Sequence, residues 1–339
     1  MLRSLRGVLV GLVVLAGIVG SASEAVADPL KIRVGWSTMP GHMIPVLFAN
    51  NKGLRHYGKS YTVEPVLFRG SAPQLTALAA GEIDMIASSP ATMALAVLNA
   101  GLDVRVVADI IQDGVPGHHS ETWLVLAESG ITSAAQLKGK RIATNAIGSA
   151  SDTAMRAIML KAGLKDRRDY ITIQAAFPSM LALLDEKKVD AAPILMPDLI
   201  EAQKNPKYRA VFQAKDGLGR SDLVFLLGQA GFIEKNRAAV QDFVEDYVRA
   251  NRWFADPANR KEALQIIGDY MKIKPEQLEH LYTEKDYFRD PYGMPDYAAL
   301  QSAIDVSRDA GILPDTISVK KYSDPGLVDE ARRRIIASP

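Results

Sequence analysis

From residue 31 onward, short apolar runs alternate with segments of helical period. Runs at 32–36, 61–68 and 83–87 have the length and the β-branched or aromatic content of strands, with helical stretches at 43–54 and 74–80 between them. A second series, at 141–144, 171–175, 189–194 and 208–213, repeats the alternation. Strands separated by helices predict an α/β fold with parallel sheets, here in two units. The units share a piece: Ala77-Leu78 precedes Ile83-Asp84 in the first, and Leu183-Leu184 precedes Val189-Asp190 at the same spacing in the second. Each reads as a helix, a tight turn and a strand. After Phe232 the pattern changes to charged, aromatic helical segments at 237–254, 260–271, 275–282 and 296–310, expected to return to the first unit and pack around it. The chain would pass between the units near 121–126 and near 222–229, making a hinge with a cleft beside it. The expected division is 1–27 as a leader, 28–121 as the first part of lobe I, 122–228 as lobe II, and 229–339 as the return to lobe I with its C-terminal helices.

The leader is read from its pattern. Arg3 and Arg6 give a positive start, residues 8–19 are apolar, and Ala25-Val26-Ala27 offers small residues for cleavage after Ala27. The apolar run is too short for a membrane span, and Ser21, Ser23 and Glu24 interrupt it where an anchor would continue. Without Arg3, Arg6 and Glu24 the chain carries 38 basic and 38 acidic residues. A neutral chain argues against nucleic acid and against a polybasic membrane patch, both of which need concentrated Lys and Arg. A small molecule is the expected partner. With no cysteine, the exported protein has neither disulfides nor a thiol for lipid attachment, and is expected as a free monomer in a periplasm.

The chemistry sits in the loops that follow the strands. In an open parallel sheet these gather at one edge, where helix N-termini present unpaired N–H groups and partial positive charge. In the first unit these loops hold Ser37 to His42, then Arg69-Gly70-Ser71, then Ser88-Ser89-Pro90. In the second they hold Gly148-Ser149-Ala150-Ser151, Phe177-Pro178-Ser179 and Met196-Pro197-Asp198. Singly, each serine reads as a helix cap; jointly they make two facing rims. The candidate ligand-binding residues are therefore Ser37, His42, Arg69, Gly70, Ser71, Ser88 and Ser89 on one side, and Gly148, Ser149, Ser151, Phe177 and Met196 on the other, with Met39 and Leu195 as further apolar lining. Arg69 is the candidate partner for a carboxylate or sulfonate. Three or four helix N-termini would contribute roughly 2 to 6 kcal/mol toward an anion, short of the roughly 8 kcal/mol of micromolar binding. Side-chain hydrogen bonds and apolar burial must supply the rest.

No catalytic residue stands out. The adjacent His118-His119 pair points to opposite faces of an extended segment, with no third metal ligand at a useful spacing. There is no His-Glu-x-x-His, Gly-x-Ser-x-Gly, phosphate-loop or dinucleotide glycine motif. Neither an enzyme activity nor a metal or cofactor is expected.

The segment Leu137-Lys138-Gly139-Lys140-Arg141-Ile142-Ala143, followed by Gly148-Ser149 and then Leu160-Lys161-Ala162-Gly163-Leu164, resembles the nitrate, taurine and aliphatic-sulfonate group of periplasmic binding proteins, which includes thiamine-precursor binders. Leu78-Ala79-Ala80-Gly81-Glu82-Ile83-Asp84 with Ser88-Ser89-Pro90, and Val189-Asp190-Ala191, are similar too. The resemblance implies a type II periplasmic-binding fold with a hinge and interlobe cleft. It also implies closure on an anionic organic solute, such as a sulfonate, a taurine-like molecule or an aromatic carboxylate, and delivery to the permease and ATPase of an ATP-binding cassette importer. One departure is the aliphatic stretch 192–198, where the family often has aromatics; it points to a bulkier ligand with one anionic end, directed at Ser71, Ser89 and Ser149. The alternatives are a protein that binds or synthesises the thiamine pyrimidine precursor, and a sensory ligand-binding module. The fold-sharing pyrimidine synthase resembles a cysteine-rich pattern that this chain lacks.

Overall fold

A computed structural model describes residues 28–338; the leader reading falls outside them. Ten strands are named here in chain order: β1 (Leu30–Trp36), β2 (Tyr61–Leu67), β3 (Met85–Ser88), β4 (Val104–Asp113), β5 (Thr122–Leu126), β6 (Arg141–Thr144), β7 (Ile171–Gln174), β8 (Ala192–Ile194), β9 (Tyr208–Gln213) and β10 (Ser221–Gln229). The larger sheet has the order β2-β1-β3-β10-β4, with β1 parallel to β2 and β3, and β10 antiparallel to β3 and β4. The second lobe holds β8-β5-β9, all antiparallel, and the parallel pair β6-β7. A bridge between Ile142 and Ala191 ties its two pieces together.

The expected strands are present, some shortened: 189–194 narrows to β8, and 83–87 shifts to β3. The sheets are not purely parallel: β10 runs antiparallel in the larger sheet and β5 in the second lobe, and periodicity does not reveal the long strands β4 and β10. β4 and β10 are buried along almost their whole length, so they show apolar continuity instead of alternation. β10 lies wholly in the larger sheet. The chain therefore returns to that sheet ahead of Ser221, not near 222–229. The helix expected at 43–54 spans only Ile44–Ala49, and the one at 275–282 is a 3-10 turn at Pro275–Leu278.

Two short segments connect the lobes: 114–121 between β4 and β5, and 219–220 between the helix Ala214–Leu218 and β10. They run backbone to backbone. Gly114 has φ +74, and a side-chain carbon there would collide with the Gly219 carbonyl, so the position needs glycine on both counts. Asp113 fastens this hinge from the end of β4, accepting from the Ser120 hydroxyl at 2.5 Å and from the Glu121 N–H at 2.9 Å.

The shared sequence piece corresponds to one repeated device. In the first lobe the Asp84 carboxylate accepts from the Arg33 N–H at 2.8 Å and from its guanidinium, while the Asp84 N–H returns to the Arg33 carbonyl. In the second, Asp190 does the same with Arg141: the Arg141 N–H donates at 2.8 Å, and the Asp190 N–H returns to the Arg141 carbonyl. The carboxylate thus satisfies a strand N–H, that of Arg33 within β1 and of Arg141 at the start of β6.

The helix Arg237–Ala255 packs on the first lobe and on the helix Pro325–Ala337. Its buried Asp246 accepts from the N–H groups of Arg55, His56 and Tyr57 and from the Tyr61 hydroxyl. No helix among the described residues is long and apolar enough to cross a membrane.

Candidate functional site

Between the two lobes lies a cavity of about 70 Å³. Its first-lobe wall is the loop after β1, with Ser37, Thr38, Pro40, Gly41 and His42, together with the loop after β2, with Gly70 and Ser71. Its second-lobe wall is Asn145, Ser149, Ala150 and Ser151 at the start of the helix Ala150–Lys161, plus Phe177, Leu195 and Met196. Glu121 stands at the hinge, and Asp286 and Tyr287 close one side.

Eight of the candidates thus come together: Ser37, His42, Gly70, Ser71, Ser149, Ser151, Phe177 and Met196, with Leu195 as expected and Met39 instead in an adjoining outer groove. Four do not line the cavity. Arg69 is exposed and lines the outer groove; only its carbonyl is engaged, accepting from Asn145 Nδ2 of the facing lobe at 3.0 Å. Ser88 and Ser89 are fully buried behind the wall. The Ser89 hydroxyl bonds with Ser71 at 3.2 Å and Thr92 at 2.8 Å. Gly148 gives its carbonyl to Thr92 across the cleft at 3.1 Å. Strand ends alternate direction, so of consecutive loop serines some turn inward to one another instead of to the ligand.

The lobes touch, which makes this a closed form. Gly70 permits it: a side-chain carbon there would lie 2.7 Å from Asn145 Nδ2 and 3.4 Å from Ser149 Cβ.

The cavity lining contains no Lys or Arg, but two carboxyl groups. Asp286 is neutralised: it accepts from the N–H groups of Tyr282 and Tyr287 and faces Arg289 Nε at 3.4 Å. Arg289 sits behind the wall and is fully used, donating to the carbonyls of Pro40, Gly41 and Ile110. It fixes the loop after β1 in place. Glu121, 3% exposed, has one hydrogen bond to its side chain, from the Ser151 hydroxyl at 2.6 Å. Burial pushes its pKa up to about 8, against the Ser151 bond and with help from Asp113.

His42 is neutral: burial, and then the Arg289 charge, lower its pKa to about 3. Its Nδ1 accepts from the Ser37 N–H at 3.2 Å, which leaves the proton on Nε2. Because Nδ1 is already taken, the Ser37 hydroxyl at 3.4 Å lacks a free base. The helix start at Ala150 already holds an anion of its own, since Asp152 accepts from the Gly148 N–H at 2.8 Å and pairs with Arg156. Ser149, the residue before that helix, turns its hydroxyl to Asn145 and the Ala146 carbonyl.

Sequence reasoning missed Glu121, Asn145, Asp286 and Tyr287. Glu121 follows the polar run His118-His119-Ser120 and reads as a solvated connection; its one signal is that an apolar strand begins immediately after it. His118 and His119 each meet an aromatic ring edge-on, Phe288 and Tyr287 respectively. No cluster of ligating residues suited to a metal is present among the described residues.

Two α/β lobes, a double crossing and a side-chain-lined cavity between them define the type II periplasmic-binding-protein fold. The NMT1/THI5-like family matches residues 62–259, more than half of the chain, and the chain belongs to that family. No curated protein sequence matches significantly. Among solved structures, the alkanesulfonate-binding protein SsuA of Xanthomonas axonopodis pv. citri, bound to MOPS, aligns with TM-score 0.67 and 20% identity over 88% of this chain and 99% of its own. The periplasmic nitrate-binding protein NrtA of Synechocystis aligns with TM-score 0.69 and 14% identity over 91% and 89%. The desulfurization enzyme DSZB aligns with TM-score 0.63 and 15% identity over 90% and 99%. The fold and the family resemblance read from the motifs are those found; at these identities the likeness extends to the fold alone.

Proposed function

We propose that this chain is the exported solute-binding component of an ATP-binding cassette importer, closing on a small organic solute whose head is a hydrogen-bond donor. An ammonium group, or an amino-bearing base such as the pyrimidine precursor of thiamine, is of this kind. The anionic head expected from the sequence is replaced in this reading. The observation that carries it is Glu121: a buried carboxyl with a single protein partner, in a lining with no Lys or Arg.

The magnitudes favour the donor. One helix N-terminus is worth about 0.3 to 1 kcal/mol to an anion, and the one at Ala150 is already occupied by Asp152. Ionising Glu121 at pH 7 from a pKa of about 8 costs about 1.4 kcal/mol. A charge-assisted hydrogen bond to the resulting carboxylate returns about 1.5 to 3 kcal/mol, more when the cavity excludes water. A cation therefore gains on balance, whereas an anion would find no Lys or Arg in the lining. Catalysis is not part of the proposal.

Calorimetry on matched pairs tests it, with propylamine against propanesulfonate and benzylamine against benzoate. Binding of the amines alone is expected. Binding of the anions alone would overturn the head assignment, and no closure in X-ray scattering with any bound solute would overturn the binding-protein reading.

A further inference from the structure

Beside the inner cavity runs a second space of about 740 Å³, open to solvent. Its walls come from both lobes: Trp36, Leu67 and Phe68 at the ends of β1 and β2, Phe177 and Pro178 opposite, and Tyr270 at the end of the helix Arg260–Met271. Apart from the exposed Arg69 its lining is uncharged. Leu67 is 63% exposed and Tyr270 44%, so two of the five large hydrophobic side chains exposed among the described residues stand at this one groove.

The groove is not separate from the site. Ser37, Thr38 and Phe177 line both spaces, so a molecule seated at Glu121 needs only to pass these residues to reach it. The inner cavity supplies the carboxyl and hydroxyl groups, and the groove supplies apolar surface without further polar partners. That division matches a ligand with two unlike ends.

We propose that the groove receives the apolar arm of the solute whose head lies in the inner cavity, so that the ligand is amphiphilic, with an alkyl or aryl arm of several carbons. This rests on the binding-protein reading but not on the sign of the head charge. Because the arm contacts both lobes, it adds to the closing force by its differential contact with the closed form.

The test is a calorimetric series of n-alkylamines from ethylamine to decylamine, run beside the matching n-alkanesulfonates, on the full exported chain. Affinity is expected to rise about fourfold per methylene, as burial of a CH₂ group predicts, until the groove is filled. Leu67→Asp and Tyr270→Ser, both at exposed positions, are expected to cut that slope by more than half while leaving ethylamine affinity within twofold. A length dependence in the sulfonates alone would support the groove and sink the donor-head reading. Amines that bind with no length dependence would overturn the groove and leave that reading standing. An unchanged slope in both variants, with import by a reconstituted permease lost, would also overturn it and mark the groove as a permease contact.

Discussion

The Ser151 hydroxyl donates to Glu121 Oε1 at 2.6 Å, joining the first turn of a second-lobe helix to the hinge. The bond uses one carboxyl oxygen and leaves the other for a ligand. Glu121→Gln keeps an acceptor for Ser151 and removes the ability to ionise. Amine affinity should therefore fall tenfold or more, the equivalent of about 1.4 kcal/mol. The melting temperature should stay within about 2 °C, because a neutral amide replaces a carboxyl that is already protonated near pH 7. Calorimetry paired with a thermal melt checks both; unchanged affinity would show that the head sits elsewhere.

Closure depends on the absence of a side chain at Gly70, which faces Asn145 and Ser149 across the cleft. Its φ of 171 is ordinary extended backbone, so a valine there strains nothing locally and acts only by bulk. Gly70→Val should hold the lobes apart. Solute affinity should drop at least tenfold with little change in melting temperature, and the radius of gyration of the solute-saturated variant should equal that of the empty protein. Wild-type compaction in the variant would refute the steric account.

Much of this architecture was legible in the chain. The rule that loops after strands gather at one edge located Ser37, Gly70, Ser71, Ser149 and Ser151, since it depends only on strand order. The Ile83-Asp84 and Val189-Asp190 repeat marked a real device, because each Asp accepts from a backbone N–H of a neighbouring strand. What escaped reading depends on contacts distant in sequence. Arg69 looks like an anion clamp, but nothing in the chain says that it turns outward. Glu121 looks solvated until β5 and the helix at Ala150 enclose it. The interior strands β4 and β10 lack alternation because both their faces are covered.

Within the larger sheet, Asp109 on β4 and Asp222 on β10 are buried, and the Oδ1 of each has no hydrogen-bond partner. We expect the pair to share a proton: burial raises both pKa values, that of Asp109 to about 7, and the Asp109 charge raises that of Asp222 further. A folded pKa above the unfolded one means that the native state binds more protons. Stability from the pair is thus fully present below the ordinary carboxylate pKa near 4 and is lost as pH rises through the folded values. Asp222→Asn can donate to Asp109 without a titrating proton. Its melting temperature should exceed that of the wild type at pH 8.5, and the difference should shrink or reverse at pH 5. A difference independent of pH would rule out the shared proton.

Arg289 donates to the Pro40, Gly41 and Ile110 carbonyls and faces Asp286, so one buried guanidinium holds both the loop after β1 and the loop that carries Tyr287. Lysine retains the charge but presents a single donor centre in place of a planar fork. Arg289→Lys leaves at least one of these buried carbonyls without its donor, at about 1 to 3 kcal/mol for each unsatisfied group. Arg289→Ala additionally leaves Asp286 buried without its cation, a loss on the order of 3 to 5 kcal/mol. Denaturant unfolding should therefore rank wild type above Lys above Ala. The ligand should also weaken for the lysine variant, because Ser37 and His42 sit on the loop that has been freed. A lysine variant with native stability and native affinity would show that the loop is held by other contacts.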